Sequence, residues 1–226
     1  MLRAIVFDFD GVLANTEPLH LRAYQDVLAA EGVTLTEADY YSRYLGFDDA
    51  AAFAAMGADA GRHWSASEMA RLMATKARRV EQLERDVSML FPGAAAAVRR
   101  AAAHVPIAVA SGALRVEIIR VLEREQLMNC FSAIVAAEDT SSGKPSPAPY
   151  QCALVRLSSQ LSHALDPYEC VALEDSPWGL ESARAAGLRT VAVAQTYQEP
   201  DLRSADLVIP SIDALDIQQL AHLCDS

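Results

Sequence analysis

The sequence predicts an α/β protein built on a parallel sheet, with an all-helical segment inserted after the first strand. Short apolar runs that do not alternate with polar residues are typical of strands buried on both faces of a sheet. Helical patterns separate most of these runs, which indicates βαβ units. One long segment after the first run carries only helical patterns, which indicates the insertion.

The individual elements follow from the same patterns. The predicted strands are 4–7, 105–110, 133–135, 170–173, 190–193 and 206–209. The predicted core helices are 93–104, 116–126, 148–157, 179–186 and a tail from Leu215.

The inserted segment covers about 17–86, where Ala, Leu, Arg and Glu dominate. Pro18 suits the first turn of a helix, and Thr36 and Ser67, each followed by Glu, are predicted to begin later helices. Residues 91–93, Phe-Pro-Gly, return the chain to the core. We therefore expect a core domain of 1–15 and 88–226 and a helical cap domain of 16–87.

Composition excludes several classes of protein. Of the 226 residues, 52 % are hydrophobic, which is enough for a buried core. The net charge of -11 and the absence of a basic face argue against nucleic-acid binding. The four cysteines form no close pair, which suits a reducing compartment and not a zinc site. With no signal peptide and no long apolar run, we expect a cytoplasmic protein without a membrane partner.

Two acidic pairs follow predicted strands. Asp8 and Asp10 end the first strand, and Glu174 and Asp175 end the fourth. Neighbouring carboxylates in poorly solvated surroundings repel each other, so a divalent cation is the simplest stabilising partner. Hard oxygen ligands favour Mg²⁺ over zinc. The alternative for the first pair is a solvated acidic turn.

Two further strand ends carry polar groups. Ser111 and Gly112 follow the second strand and precede a helix, so they form either an anion site or an ordinary N-cap. Lys144 lies on a proline-rich loop after the third strand, where a rigid lysine suits a phosphoryl group. The alternative is a solvated loop lysine.

These four groups occur along the chain in the order that is typical of the haloacid dehalogenase-like superfamily. The sequence therefore resembles that superfamily, in the branch that contains β-phosphoglucomutases and small phosphatases. The motifs that carry the resemblance are Asp8-Phe9-Asp10-Gly11-Val12, Ser111, Lys144-Pro145 and Glu174-Asp175. The resemblance covers essentially the whole chain. It implies a doubly wound, Rossmann-like core with a helical cap inserted between the first two motifs.

The resemblance also implies a role for each motif. Asp8 attacks phosphorus and forms an aspartyl-phosphate, while Asp10 protonates the leaving oxygen and then activates water. Ser111 binds the phosphoryl group and Lys144 neutralises its charge. The implied Mg²⁺ ligands are Asp8, Asp10 through its main-chain carbonyl, Glu174 and Asp175, and the implied substrate contacts are Gly112, His20 and Gly46.

Together these features predict a Mg²⁺-dependent phosphomonoester hydrolase that acts, as a monomer, on a small phosphorylated metabolite of the sugar phosphate or phosphoglycolate type. One alternative is a phosphomutase of the β-phosphoglucomutase type. Leu45 and Asp49 stand beside the cap glycine, where such mutases place basic residues, and Arg43 is the nearby substitute. Another alternative is a non-catalytic binding module, against which the intact Asp8 and Asp10 argue. His20 is either a substrate contact or a residue that packs at the cap hinge.

Overall fold

The computed structural model describes residues 1–45, 47–85, 88–161 and 164–225. The chain divides into two compact units. One consists of Met1–Asn15 and Met89–Ser226, and the other of Thr16–Ser88. A parallel sheet with surrounding helices forms the first unit, and the second is helical in its described residues. The predicted fold class is confirmed.

In the described residues the sheet has six strands in the order β3-β2-β1-β4-β5-β6, with every neighbouring pair parallel. Strands β1 and β4 are buried along their whole length, as expected of strands covered on both faces. The strands are β1 (Ala4–Phe7), β2 (Ile107–Ala110), β3 (Ala133–Val135), β4 (Cys170–Glu174), β5 (Arg189–Val193) and β6 (Leu207–Ile209).

The second unit packs around its own apolar core. Leu28, Phe53 and Leu72 are fully buried there and belong to one hydrophobic cluster. Pro18 lies in the first turn of its first helix, where the missing N–H costs no hydrogen bond. The helices are α1 (Glu17–Ala30), α2 (Glu37–Asp39), α3 (Asp49–Asp59) and α4 (Ala66–Glu84), with a π-helical turn at Tyr40–Tyr44.

The helices of the first unit connect its strands. Tyr150, Ala153 and Leu157 pack in one cluster with Val6 and Ala172 of the sheet. These helices are α5 (Ala94–Ala102), α6 (Arg115–Arg124), α7 (Ala148–Leu161), α8 (Pro177–Ala185) and α9 (Ile217–Cys224). Short 3₁₀ turns lie at Met128–Cys130, Ala137–Asp139, Pro167–Glu169, Glu199–Leu202 and Ile212–Ala214. No helix in the described parts of the chain is long and apolar enough to cross a membrane.

Several predicted boundaries differ from the observed ones by two residues or more, and hydrogen bonds explain two of these differences. Helix α4 is capped by Ser65 and not by Ser67, because the Glu68 carboxylate reaches back to accept the backbone N–H of Ser65 at 2.7 Å. Strand β2 begins at Ile107 and not at Val105, because the N–H of Val105 still donates to Ala101 O at the end of α5. The other predicted boundaries differ by no more than four residues.

Candidate active site

Strands β1 and β4 are neighbours at the point where the strand order reverses direction. Asp8 directly follows β1 and donates its backbone N–H to Leu173 O at 2.9 Å. Glu174 ends β4 and Asp175 follows it. The two strands are parallel, so these three carboxylates leave the same edge of the sheet. Open α/β sheets bind ligands at this switch point.

Lys144 joins two of the carboxylates. Its ammonium Nζ lies 2.7 Å from Asp8 Oδ1 and 2.5 Å from Glu174 Oε1. The side chains of Lys144 and Asp8 are each only 10 % exposed, and that of Glu174 is fully buried. At such burial the ion pairs are strong, and removal of one partner leaves an uncompensated charge. The alternative of a solvated lysine is therefore wrong.

The Glu174 carboxylate is enclosed by protein donors. Oε1 also accepts a hydrogen bond from the buried Tyr150 hydroxyl at 2.7 Å. Oε2 accepts from the backbone N–H of Asp175 and from Ser176 Oγ, both at 3.2 Å. Glu174 thus holds Lys144 through Oε1 and the backbone N–H of Asp175 through Oε2.

The site carries more negative than positive charge. Burial, and then repulsion by Glu174, raises the pKa of Asp8 well above its usual value, although Lys144 opposes this. Burial raises the pKa of Asp175 to about 6, with Glu174 adding to the effect and a hydrogen bond from Thr196 opposing it. Burial lowers the pKa of Lys144, but Asp8 and Glu174 outweigh it and raise that pKa overall. The cluster thus contains three carboxyl groups and one ammonium group.

This donor set fits a divalent cation. Asp8, Glu174 and Asp175 each offer a carboxylate oxygen, and these oxygens lie within 4.8 Å of one another. Carboxylate oxygens are the ligands that Mg²⁺ prefers. A bound cation would also offset the charge excess that raises the carboxyl pKa values.

The loop after β1 packs closely on Asp175. Asp10 is half-buried and pairs through its backbone with Ala14. Gly11 has a φ of +82°, and a Cβ added there would overlap the Asp175 carboxylate. Only glycine combines this backbone conformation with so close an approach. The loop therefore brings the backbone next to Asp10 against the Asp175 carboxylate.

Ser111 leaves the same edge of the sheet as Asp8, because β2 is parallel to β1. It is 3 % exposed, and its Oγ accepts a hydrogen bond from the backbone N–H of Ala113 at 3.0 Å. Ser111 does not cap helix α6, whose N-cap residue is Leu114. A Cβ at Gly112 would meet no atom within 4 Å, so the backbone there is open.

The cap residues of the sequence analysis lie in the helical unit. His20 Nδ1 accepts a hydrogen bond from Lys76 Nζ at 2.7 Å. The Arg43 guanidinium donates to Asp59 and lies 3.8 Å from Asp39. Gly46 falls outside the described residues.

Sequence reasoning missed Tyr150, Gln195 and Thr196. Tyr150 reads as an ordinary core residue of α7, and no local signal marks its hydroxyl. Gln195 and Thr196 follow strand β5, so the rule that polar residues at strand ends form the site would have selected them. Thr196 Oγ1 donates to Asp175 Oδ2.

Comparison with known proteins identifies the class. The family model for haloacid dehalogenase-like hydrolases matches residues 5–193. The chain belongs to this family, and the predicted resemblance is confirmed. The prediction of an enzyme is confirmed with it.

Three known proteins are similar to this chain over nearly their whole length. Protein CbbY of Rhodobacter capsulatus is 32 % identical over 230 residues, covering 98 % of this chain and 99 % of the relative. Hexitol phosphatase B of Escherichia coli strain K12 is 29 % identical over 225 residues, covering 96 % of each. A crystal structure of a CbbY variant from Rhodobacter sphaeroides with xylulose 1,5-bisphosphate has a TM-score of 0.73 and 28 % identity, covering 95 % of this chain and 96 % of that one.

Proposed function

We propose that the chain is a Mg²⁺-dependent phosphomonoester hydrolase that works through an aspartyl-phosphate on Asp8. The observation that carries the proposal is the position of Asp8 at the switch point of the sheet. There its carboxylate is paired with the buried Lys144 and lies beside Glu174 and Asp175. A buried ammonium next to a nucleophilic carboxylate suits an anionic substrate that develops further charge.

In the proposed mechanism, Asp8 Oδ attacks the phosphorus atom and the bond from phosphorus to the ester oxygen breaks. Asp10 donates its proton to the departing oxygen, which leaves as an alcohol. Asp10 then removes a proton from water, the resulting hydroxide attacks phosphorus, and the bond from phosphorus to Asp8 breaks. Inorganic phosphate leaves and both carboxyl groups return to their starting states. Lys144 and the Ser111 hydroxyl hold the phosphoryl oxygens throughout.

Asp8, Asp175 and the main-chain carbonyl of Asp10 would hold the Mg²⁺. Glu174 would support them through its bonds to Lys144 and the Asp175 backbone. When bound, the cation supplies electrostatic stabilisation of the charge on the phosphoryl oxygens. Three carboxylates against one ammonium are consistent with this requirement.

The substrate class follows from the relatives. Hexitol phosphatase B is named for a sugar-alcohol phosphate, and the CbbY variant was crystallised with a sugar bisphosphate. We therefore propose a small phosphorylated metabolite, such as a sugar phosphate or phosphoglycolate, handled by a cytoplasmic monomer. We favour a hydrolase over a mutase because Arg43, the nearby basic residue that could bind a second phosphate, is bound by Asp59.

The test is phosphate release from a panel of esters, with Mg²⁺ or with chelator. The panel contains p-nitrophenyl phosphate, hexose and hexitol phosphates, xylulose 1,5-bisphosphate and phosphoglycolate. We expect Mg²⁺-dependent release that falls at least about a thousandfold in Asp8→Asn, because the covalent nucleophile is lost. The exposed Asp201→Asn serves as the matched control and should retain wild-type activity.

Three outcomes would contradict the proposal. If the wild-type protein released phosphate from no ester in the panel, the proposed hydrolase activity would be refuted. Isomerisation of a sugar phosphate without phosphate release would select the mutase. Equal release by wild type and Asp8→Asn would favour a non-catalytic module with a contaminating activity.

A further inference from the structure

The side chain of Gln195 connects three loops at the edge of the sheet. Its Nε2 donates to Gly11 O at 3.1 Å and to Val12 O at 3.2 Å. Its Oε1 accepts the backbone N–H of Ile212 at 2.9 Å. Both the nitrogen and the oxygen of the side-chain amide are therefore hydrogen-bonded. Because Nε2 faces two acceptors and Oε1 faces a donor, the orientation of the amide is fixed.

The two carbonyl groups that Gln195 binds belong to the residues directly after Asp10. Three backbone N–H groups of this turn donate to carbonyl groups within it. Leu13 and Ala14 donate to Phe9 O at 2.9 and 2.8 Å, and Gly11 donates to Ala14 O at 2.9 Å. Gln195 thus donates hydrogen bonds to the Gly11 and Val12 carbonyl groups of the turn. Its amide ties the turn to the segment after β5.

The same segment also holds Asp175. Thr196 Oγ1 donates to Asp175 Oδ2, while Gly11 packs so closely on that carboxylate that a Cβ would overlap it. The segment after β5 is thus bonded to the Asp10 turn through Gln195 and to Asp175 through Thr196. Loss of either bond would let one of these two parts of the site move relative to the other.

We propose that Gln195 is a positioning residue that holds the Asp10 turn in register for proton transfer. This inference rests on the proposed function, in which Asp10 protonates the departing ester oxygen. General acid catalysis requires the acid to lie within hydrogen-bond reach of that oxygen. A displacement of about 1 Å can reduce a rate about a hundredfold. The side-chain amide of Gln195 bonds to backbone groups of the turn and of Ile212, so we infer that it acts through the turn.

The decisive variant is Gln195→Glu. It keeps the shape of the side chain and an acceptor for Ile212 N–H, but it places a carboxylate oxygen against the carbonyl groups of Gly11 and Val12. Gln195→Met keeps the length and removes both kinds of hydrogen bond. Gln198→Glu, at an exposed glutamine three residues on, makes the same charge change away from the turn.

The readout is the dependence of kcat/KM on the leaving group. An alkyl ester such as glycerol 2-phosphate needs a proton on its departing oxygen, whereas p-nitrophenolate leaves without one. We expect Gln195→Glu and Gln195→Met to lower kcat/KM for glycerol 2-phosphate about ten- to hundredfold and for p-nitrophenyl phosphate no more than about threefold. Gln198→Glu should match wild type. An equal loss with both esters, or no loss, would overturn the inference.

Hydrogen exchange provides a readout that does not depend on activity. In Gln195→Glu we expect the amides of residues 9–15 to exchange about tenfold faster or more, while the amides of β1 and β4 stay protected. Unchanged exchange at 9–15 in Gln195→Glu would overturn the inference even if kcat/KM for glycerol 2-phosphate fell. A wild type that hydrolyses no ester would instead overturn the proposed function, and the exchange result would still decide whether Gln195 holds the turn.

Discussion

Lys76 is a nearly buried lysine whose charge is shared between two partners. Its Nζ lies 2.7 Å from Asp49 Oδ1 and 2.7 Å from His20 Nδ1, and the Tyr24 hydroxyl donates to the same Asp49 oxygen at 2.6 Å. Because the ammonium donates to Nδ1, the imidazole keeps its proton on Nε2 and is neutral. Burial, followed by repulsion from Lys76, lowers the pKa of His20 to about 4, and Asp49 opposes this.

This lowered pKa predicts a pH-dependent loss of stability. His20 binds a proton near its ordinary pKa of 6.5 in the unfolded chain but only near 4 in the folded protein. Its contribution is therefore fully present above pH 6.5 and is lost as the pH falls toward 4, with an upper limit of about 3 kcal/mol. We expect the free energy of unfolding in urea to fall less steeply from pH 7 to pH 5 in His20→Gln than in wild type.

The control for this experiment is His63→Gln, since His63 is exposed in the same unit. Its pH slope should equal that of wild type. The pKa of Asp175 is raised to about 6, so this carboxyl titrates in the same range, and the measured quantity is the difference between variant and wild type. Equal slopes for His20→Gln and wild type would show that folding does not lower the pKa of His20.

Some residues of the site could be predicted from the sequence, and others could not. Asp8 and Asp175 could be predicted because each is a charged residue at the end of a buried strand, where a charge is costly without a partner. Lys144 could be predicted from its place on a proline-rich loop. The hydroxyl contact of Tyr150 could not, since it depends on where α7 packs against β4. The roles assigned to the site residues stay predictions.

At the scale of elements, the start of helix α8 is joined to the acidic pair. Ser176 caps the helix by accepting the backbone N–H of Gly179 at 3.2 Å, and its hydroxyl donates to Glu174 Oε2. Gly179 lies against that carboxylate, and a Cβ there would overlap it. The helix can approach Glu174 this closely because the residue in its first turn has no side chain.

Gly179→Ala is therefore expected to destabilise the protein, although alanine is the better helix former by about 1 kcal/mol. The overlap with the buried Glu174 should outweigh that gain, for a net loss of about 1–3 kcal/mol in the free energy of unfolding, measured in urea. Gly143→Ala is the control, because a Cβ at Gly143 meets no atom within 4 Å. It should stay within about 0.5 kcal/mol of wild type. A Gly179→Ala protein as stable as wild type would show that helix and carboxylate separate easily.

The boundaries of helices and strands are harder to predict from local sequence patterns than the elements themselves. Apolar runs located every strand, but the run that begins at Val105 did not reveal that its first residue still bonds to the preceding helix. At Ser65 and Ser67 two good capping residues compete, and the reach of the Glu68 side chain decides between them. The π-helical turn at Tyr40–Tyr44 carries no pattern of its own. Such details depend on individual hydrogen bonds.

For the whole molecule, the alternation of strands and helices predicts a parallel sheet, but it does not give the strand order. The runs at β1 and β4 are both apolar and fully buried, so hydrophobicity alone does not identify them as neighbours. The family resemblance supplied the doubly wound order, which places Asp8 beside Glu174. The carboxylate cluster is thus a property of topology as much as of sequence.

The two places where the chain passes between the units lie side by side. Asn15 donates its backbone N–H to Met89 O at 2.7 Å, and Phe91 donates to Leu13 O at 2.9 Å. Ala14 and Leu90 form an antiparallel bridge between these bonds. The helical unit could therefore be replaced by a hairpin loop, for which two to five residues are usual, without separating the strands that flank it.

This geometry predicts that the first unit folds alone. When Thr16–Ser88 is replaced by about four Gly and Ser residues, we expect cooperative urea unfolding, because the sheet and its buried cluster are intact. We also expect Mg²⁺-dependent release from p-nitrophenyl phosphate, abolished by Asp8→Asn in the shortened protein, with the ranking among sugar phosphates lost. A shortened protein that fails to unfold cooperatively would contradict the predicted cap domain of 16–87. An unchanged substrate ranking would mean that the first unit alone selects the substrate.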